Sequence, residues 1–87
     1  MFDRNTLLKD LRNNVIELTF QAIDGTNPMG RFSLRPKNLP KSYDINEEKK
    51  FHDTNPTIIQ TWNMNTNTWY MFDIKDVVNI EDVSEHY

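Results

Sequence analysis

Four basic side chains lie close together in the sequence: Arg31, Arg35, Lys37 and Lys41. The segment 31–41 contains no acidic residue, and alternation puts its two arginines on the outer face of one strand. Guanidinium groups bind phosphate and carboxylate oxygens through paired hydrogen bonds. The stretch therefore predicts a basic edge that binds nucleic-acid phosphates or an acidic protein surface. A solvated strand face that discourages edge pairing is the alternative interpretation.

Aromatic side chains concentrate in the last third of the chain, at Trp62, Trp69, Tyr70 and Phe72. Exposed rings beside basic groups can stack on unpaired bases, and Trp and Tyr also anchor protein interfaces. Core packing is the third interpretation. In a strand, Trp69 and Met71 face opposite to Tyr70 and Phe72, so one side of the sheet cannot bury both sets. We predict that Trp69 and Tyr70 join the four basic residues in the binding surface.

The sequence offers little for catalysis or metal binding. A metal site needs three or four converging ligands, and neither His52-Asp53 nor the distant His86 supplies them. A histidine beside an aspartate is not a triad without a nucleophile. The carboxylates fall mostly in predicted loops and in an acidic tail, 81–87, which is either solvated or a mimic of a nucleic-acid backbone. We expect no catalytic residue, no metal, no cofactor and no enzymatic activity.

The composition is typical of one small globular domain. The chain has 87 residues, of which 37% are hydrophobic, and contains no cysteine. Ten basic residues against thirteen acidic ones give a net charge of -3, which disfavours nucleic acid as the partner. No apolar run approaches the ~20 residues of a membrane helix, and the N-terminal residues lack a signal-peptide pattern. We expect a cytoplasmic protein that does not associate with membranes.

The first half of the chain predicts a helix followed by a β-hairpin. Asp3 is a suitable N-cap for a short helix over about 3–13, whose leucines recur at helical spacing. From Val15 the apolar period changes to two, and a turn follows at Asp24-Gly25. The core is expected to be built by Ile16, Leu18, Phe20, Phe32, Leu34 and part of the hairpin 62–72, and Ala22 is expected to continue the strand that begins at Val15, on the same face as Phe20. The helix is expected to lie across an open end through Leu7, Leu8 and Leu11.

The second half predicts a long loop, a second hairpin and a closing strand. Residues 36–56 contain three prolines and no sustained period, so they are expected to form a long loop, with a short helical turn at 47–50 left open. Strands follow at 57–64, 68–74 and 77–80, and the tail 81–87 is expected to fray. One short helix and about five strands predict a single, mainly β domain, residues 1–87. The fold expected from this order is a small five-stranded Sm/SH3-like barrel with a short N-terminal α-helix.

Several segments in order resemble the WYL-like, Sm-type barrel family of tailed phages. They are 15–20, the Asp24-Gly25 turn, 31–36 with Leu39-Pro40, 58–63 and 68–74. Tyr70-Met71 stands where that family often has a basic residue and a serine. The resemblance implies a phage accessory protein that acts in the cytoplasm of the infected bacterium, and it implies little chemistry, because the family has no settled activity to carry over.

Two functions follow as hypotheses. The first is an accessory module that binds a host or phage protein and modulates it without catalysis. The second is an Sm-like nucleic-acid-binding protein that uses the basic strand edge. Affinity for nucleic acid would fall steeply with salt, whereas an aromatic protein interface would be far less sensitive. A homo-oligomer remains open under both hypotheses.

Overall fold

The computed structural model describes residues 2–87, which form two helices and five strands. The helices are α1 (Arg4–Asn13) and α2 (Ile45–Thr54). The strands are β1 (Val15–Phe20), β2 (Met29–Ser33), β3 (Ile58–Asn63), β4 (Thr68–Asp73) and β5 (Val77–Asp82). Short 3-10 turns occupy Pro36–Asn38, Ile74–Asp76 and Ser84–His86.

Helix α1 forms where the leucine spacing places it. The Asp3 carboxylate accepts hydrogen bonds from the Thr6 backbone N–H at 3.2 Å and from the Thr6 hydroxyl at 2.6 Å, which caps the first turn. Leu7, Leu8 and Leu11 lie on one face and are all buried. The apolar stripe, rather than intrinsic helix propensity, therefore holds α1 against the sheet.

The five strands make one antiparallel sheet in the order β4-β3-β2-β1-β5, which confirms the mainly β prediction. Alternation along β1 buries Ile16, Leu18 and Phe20 on the core side. The prediction placed Ala22 in the same strand, but β1 ends at Phe20 and Ala22 lies in the following turn. Strand β3 pairs with β2 only at its C-terminal end, where Phe32 faces Asn63 and Ser33 faces Trp62. On the side where β2 would otherwise pair, the N-terminal half of β3 therefore contacts the helices instead.

The sheet rolls up without closing into a barrel. Strands β4 and β5 lie at opposite edges, yet only the 3-10 turn Ile74–Asp76 joins them. In a flat sheet four strand spacings would separate them by about 19 Å, and a turn of this kind advances only about 8 Å. The ring centroids of Phe20 on β1 and Phe72 on β4 lie 5.0 Å apart, which also requires strong curvature. Within residues 2–87, however, no ladder joins β4 to β5, so the predicted closure is not present.

Two segments differ from the sequence-based prediction. The expected loop 36–56 holds a 3-10 turn and the ten-residue helix α2, which replaces the short helical turn considered at 47–50. The expected frayed tail is anchored instead: β5 continues to Asp82, and Val83 is buried. The Val83 N–H donates to the Val15 carbonyl at 2.9 Å, and the Val15 N–H donates to the Ser84 hydroxyl at 2.9 Å. These bonds tie the tail to the start of β1.

Candidate functional site

The four predicted basic residues lie on β2 and in the connection that follows it. Arg31 lies on β2, but Arg35 lies beyond the end of that strand, and its Nε donates to the Asn38 side chain at 2.8 Å. Lys37 and Lys41 are exposed in the connection to α2. Arg35 is thus held through Nε, while its Nη2 has no hydrogen-bond partner among the described residues, and the two lysines are exposed to solvent.

Arg31 contacts two side chains of its own chain. Its Nε donates to the Glu17 carboxylate at 3.2 Å, and Nη1 lies 3.4 Å from the Tyr87 hydroxyl. The guanidinium carbon also lies 5.8 Å from the centre of the Tyr87 ring. Hydrogen bonds to Tyr87 and Glu17 raise the pKa of Arg31. The C-terminal tail, expected to be free, therefore covers the first residue of the predicted basic edge.

Trp69 and Tyr70 lie on opposite faces of β4. Tyr70 contacts the core rings, with centroids 5.8 Å from Phe20 and 5.4 Å from Phe32. Trp69 lies on the other face, 5.2 Å from Trp62 and 6.3 Å from Tyr43, ring centre to ring centre. Both nevertheless stay partly accessible, since Trp69 is 40% exposed and Tyr70 is 41% exposed.

A cleft lies on the Trp69 face, between β3, β4 and the start of α2. We call it the aromatic cleft; its volume is about 200 Å³, and its lining includes Tyr43, Asp44, Glu47, Phe51, Gln60 and Trp69. The Tyr43 and Trp69 rings are inclined by only 28°. A second pocket, lined by Pro36, Leu39, Pro40, Lys41 and Ile45, adjoins the cleft because Tyr43 lines both.

Beside the cleft, a buried polar cluster joins both helices to β3. Arg12 of α1 donates twice to Glu48 of α2, from Nη2 at 2.7 Å and from Nε at 3.1 Å. His52 Nδ1 lies 3.1 Å from a Glu48 carboxylate oxygen, and the backbone N–H of Gln60 donates to His52 Nε2 at 3.0 Å. Because Nε2 accepts a hydrogen bond, the proton of the neutral ring is assigned to Nδ1, which donates to Glu48. We call this group the polar clamp: Arg12, Glu48, His52 and the Gln60 amide.

The polar clamp compensates for the incomplete β2–β3 ladder. Neither Ile58 nor Gln60 pairs with β2, so their backbone groups on that side need other partners. His52 satisfies the Gln60 N–H, and Arg4 Nη1 donates to the Ile58 carbonyl at 3.3 Å. His52 is only 2% exposed, so an unsatisfied amide beside it would be costly.

The electrostatics of the clamp fit a structural role better than proton transfer. Burial alone would raise the pKa of Glu48, but hydrogen bonds from His52 and Arg12 outweigh it and lower the pKa to about 2. Burial, followed by the charge of Glu48, raises the pKa of Tyr43 to about 12. Glu48 is therefore ionised near neutral pH, and both of its carboxylate oxygens already accept hydrogen bonds. Such a group is unsuited to act as a general acid or base.

Comparisons of this chain with protein-family models, curated proteins and solved structures found no match. The resemblance to the WYL-like family therefore stays a prediction. In the part of the chain that the structure describes, no three His, Cys, Asp or Glu side chains are grouped to hold a metal ion. No helix within residues 2–87 is long and apolar enough to span a membrane.

Sequence reasoning missed most residues of the cleft and the clamp, because it placed His52, Glu48 and Tyr43 in a loop. One signal was present. Asp44 followed by Glu47 matches the spacing of a capping box, in which an N-cap acid precedes a Glu three residues later. The structure has Asp44 as the N-cap of α2, accepting from the Asn46 N–H at 2.8 Å.

Proposed function

We propose that the chain is a protein-binding module that receives its partner along β4 and the adjoining aromatic cleft. The observation that carries this proposal is the concentration of exposed apolar side chains on one edge strand. Three consecutive β4 residues are accessible: Trp69 at 40%, Tyr70 at 41% and Met71 at 58%. An apolar edge strand is a template for pairing with another chain, and Trp and Tyr are frequent anchors of protein interfaces.

The two edges of the sheet differ in a way that supports this assignment. Strand β5 carries Glu81 and Asp82, both exposed, and charge on an edge strand discourages unwanted pairing. From Thr68 to Phe72, β4 has no charged residue. In residues 2–87, β4 pairs with β3 alone, so its outer backbone groups face away from the sheet. Edge β4 thus has the features of a binding strand, and β5 those of a protected one.

The proposed partner is a protein of the host bacterium or of a phage, as the WYL-like resemblance implies, and binding modulates that protein without catalysis. The alternative, nucleic-acid binding through Arg31, Arg35, Lys37 and Lys41, has less support. Glu17 and Tyr87 already engage Arg31, and Asn38 engages Arg35. A second copy of the chain is the other occupant to test for the β4 edge. Light scattering of the purified chain tests for this second copy, because a chain that pairs with itself would have the molar mass of a dimer and not of a monomer.

The test is capture from lysate of infected bacteria, with and without nuclease, by the wild-type chain and by two matched variants. Met71→Lys puts a charge on the β4 edge, and Val78→Lys puts the same charge on β5, where Val78 is 46% exposed. We expect a captured protein that survives nuclease, is lost with Met71→Lys and is retained with Val78→Lys. Capture that nuclease abolishes would favour the nucleic-acid alternative. Capture equally strong in both variants would refute β4 as the binding edge.

A further inference from the structure

The aromatic cleft combines negative charge with aromatic rings. Asp44 and Glu47 are exposed, and neither forms a salt bridge within residues 2–87. Glu48, by contrast, is neutralised by Arg12, with 2.7 Å between the charged atoms. The charge available to a ligand in the cleft therefore comes from Asp44 and Glu47, and it favours a cation.

The rings favour a flat cation in particular. Tyr43 and Trp69 line the cleft with their rings nearly parallel, at 28° and with 6.3 Å between centroids. A cation near an aromatic ring is attracted by its electron-rich face, and a guanidinium also stacks on it as a plane. An arginine head group matches both the carboxylates and the rings.

The cleft and the pocket beside it offer two subsites. The cleft has a volume of about 200 Å³. The pocket beyond Tyr43 has a volume of about 430 Å³ and is lined by Pro36, Leu39, Pro40, Lys41 and Ile45. A ligand with a basic group and an apolar group close together fits this pair of subsites, as two neighbouring side chains of a peptide would.

Strand β4 connects the cleft to the proposed binding edge. Trp69 lines the cleft and is also one of the exposed residues of β4. A peptide strand added to β4 would point alternate side chains to the two faces of the sheet. Those on the Trp69 face would be directed toward the cleft.

We propose that the aromatic cleft binds an arginine side chain of the partner, between the rings of Tyr43 and Trp69 and the carboxylates of Asp44 and Glu47. This inference rests on the proposed protein-binding function and names the side chain that the partner presents. An apolar residue close to that arginine occupies the adjoining pocket.

The direct test is an NMR titration of the full chain with N-acetyl-arginine methylamide. The matched probe is the citrulline derivative, which has the same shape and no charge. We expect the arginine probe to shift the Trp69 indole and Tyr43 ring signals saturably, and the citrulline probe to bind at least about fivefold more weakly. Equal binding of the two probes, or shifts that avoid Trp69 and Tyr43, would overturn the proposal.

Two double variants of equal net charge sharpen the test. Asp44→Asn with Glu47→Gln removes the cleft carboxylates, and Asn at position 44 keeps a good helix cap. Glu81→Gln with Glu85→Gln removes two exposed carboxylates elsewhere. We expect the cleft variant to bind the arginine probe about three- to tenfold more weakly and the control to bind as the wild type does. Equal affinities would refute the role of Asp44 and Glu47.

The same variants separate this inference from the proposed function. If Met71→Lys abolishes capture of the partner but the cleft variant captures it normally, the arginine site is refuted and protein binding stands. If capture is indifferent to Met71→Lys, the proposed function fails, while the titration still decides whether the cleft binds arginine.

Discussion

Glu48→Gln removes the central charge of the polar clamp while keeping nearly the same shape. In the wild-type chain Glu48 accepts two hydrogen bonds from Arg12, one from His52 and one, at 3.5 Å, from the Tyr43 hydroxyl, and its side chain is only 7% exposed. The neutral amide loses the attraction to the Arg12 guanidinium. The variant therefore reports what this carboxylate contributes to folding.

The size of the effect follows from the pKa of Glu48, which falls from an ordinary 4.5 to about 2 in the folded chain. Each pKa unit corresponds to about 1.4 kcal/mol, so the charged form contributes about 3 kcal/mol to the free energy of unfolding. Because the folded-state pKa is the lower one, this contribution is fully present above about pH 4.5. It is lost as the pH falls toward 2. A domain of this size is typically stable by about 5–10 kcal/mol, so the loss is large.

The assay is urea unfolding of the wild type and of Glu48→Gln from pH 7 to pH 2, followed by tryptophan fluorescence. We expect a difference of about 3 kcal/mol at pH 7 that shrinks toward zero at pH 2. Other carboxylates titrate in both proteins, so their effects cancel in the difference. Glu47→Gln, at an exposed neighbouring position, is the control and should unfold like the wild type. A difference under about 1 kcal/mol at pH 7, or one independent of pH, would refute the role given to the clamp.

Three further predictions concern the fold. His52→Ala should lower the free energy of unfolding by about 2–4 kcal/mol in urea titrations, because it leaves the Gln60 N–H without an acceptor and opens a cavity. The control, His86→Ala, should have little effect. Gly30→Ala should cost about 1–3 kcal/mol by thermal unfolding, since the new methyl would lie 2.8 Å from the Phe32 ring. Val83→Ala should cost about 1–2 kcal/mol in the same assay, because Val83 is buried; an unchanged melting curve would mean that the tail does not pack.

The strands and α1 could be predicted from the sequence because their apolar residues follow a clear period. Leu7, Leu8 and Leu11 mark a helical face, and alternation from Ile16 to Phe20 marks a strand. The open sheet was harder to foresee. The short connection at Ile74–Asp76 follows from the predicted strands 68–74 and 77–80, but the shape also depends on ring contacts between distant strands such as Phe20–Phe72, which have no local pattern.

Helix α2 escaped prediction because its inward face is polar. Glu48 and His52 occupy the positions where an apolar stripe would be expected, and they are buried only because Arg12 and the Gln60 amide lie opposite. Such partners come from remote parts of the chain, so no local window reveals them. The cleft was missed for the same reason, although Trp69 was among the predicted binding residues.

Amide hydrogen exchange along β4 tests most directly whether this strand is the binding edge. The N–H of Ile74, just after β4, donates to the carbonyl of Thr57, just before β3, so strand alternation points the N–H groups of Trp69 and Met71 away from β3. We predict that these two amides exchange fast in the free chain and become protected when the captured partner is added, while the β5 amides do not change. Trp69 and Met71 amides that exchange equally fast with and without bound partner would contradict the account.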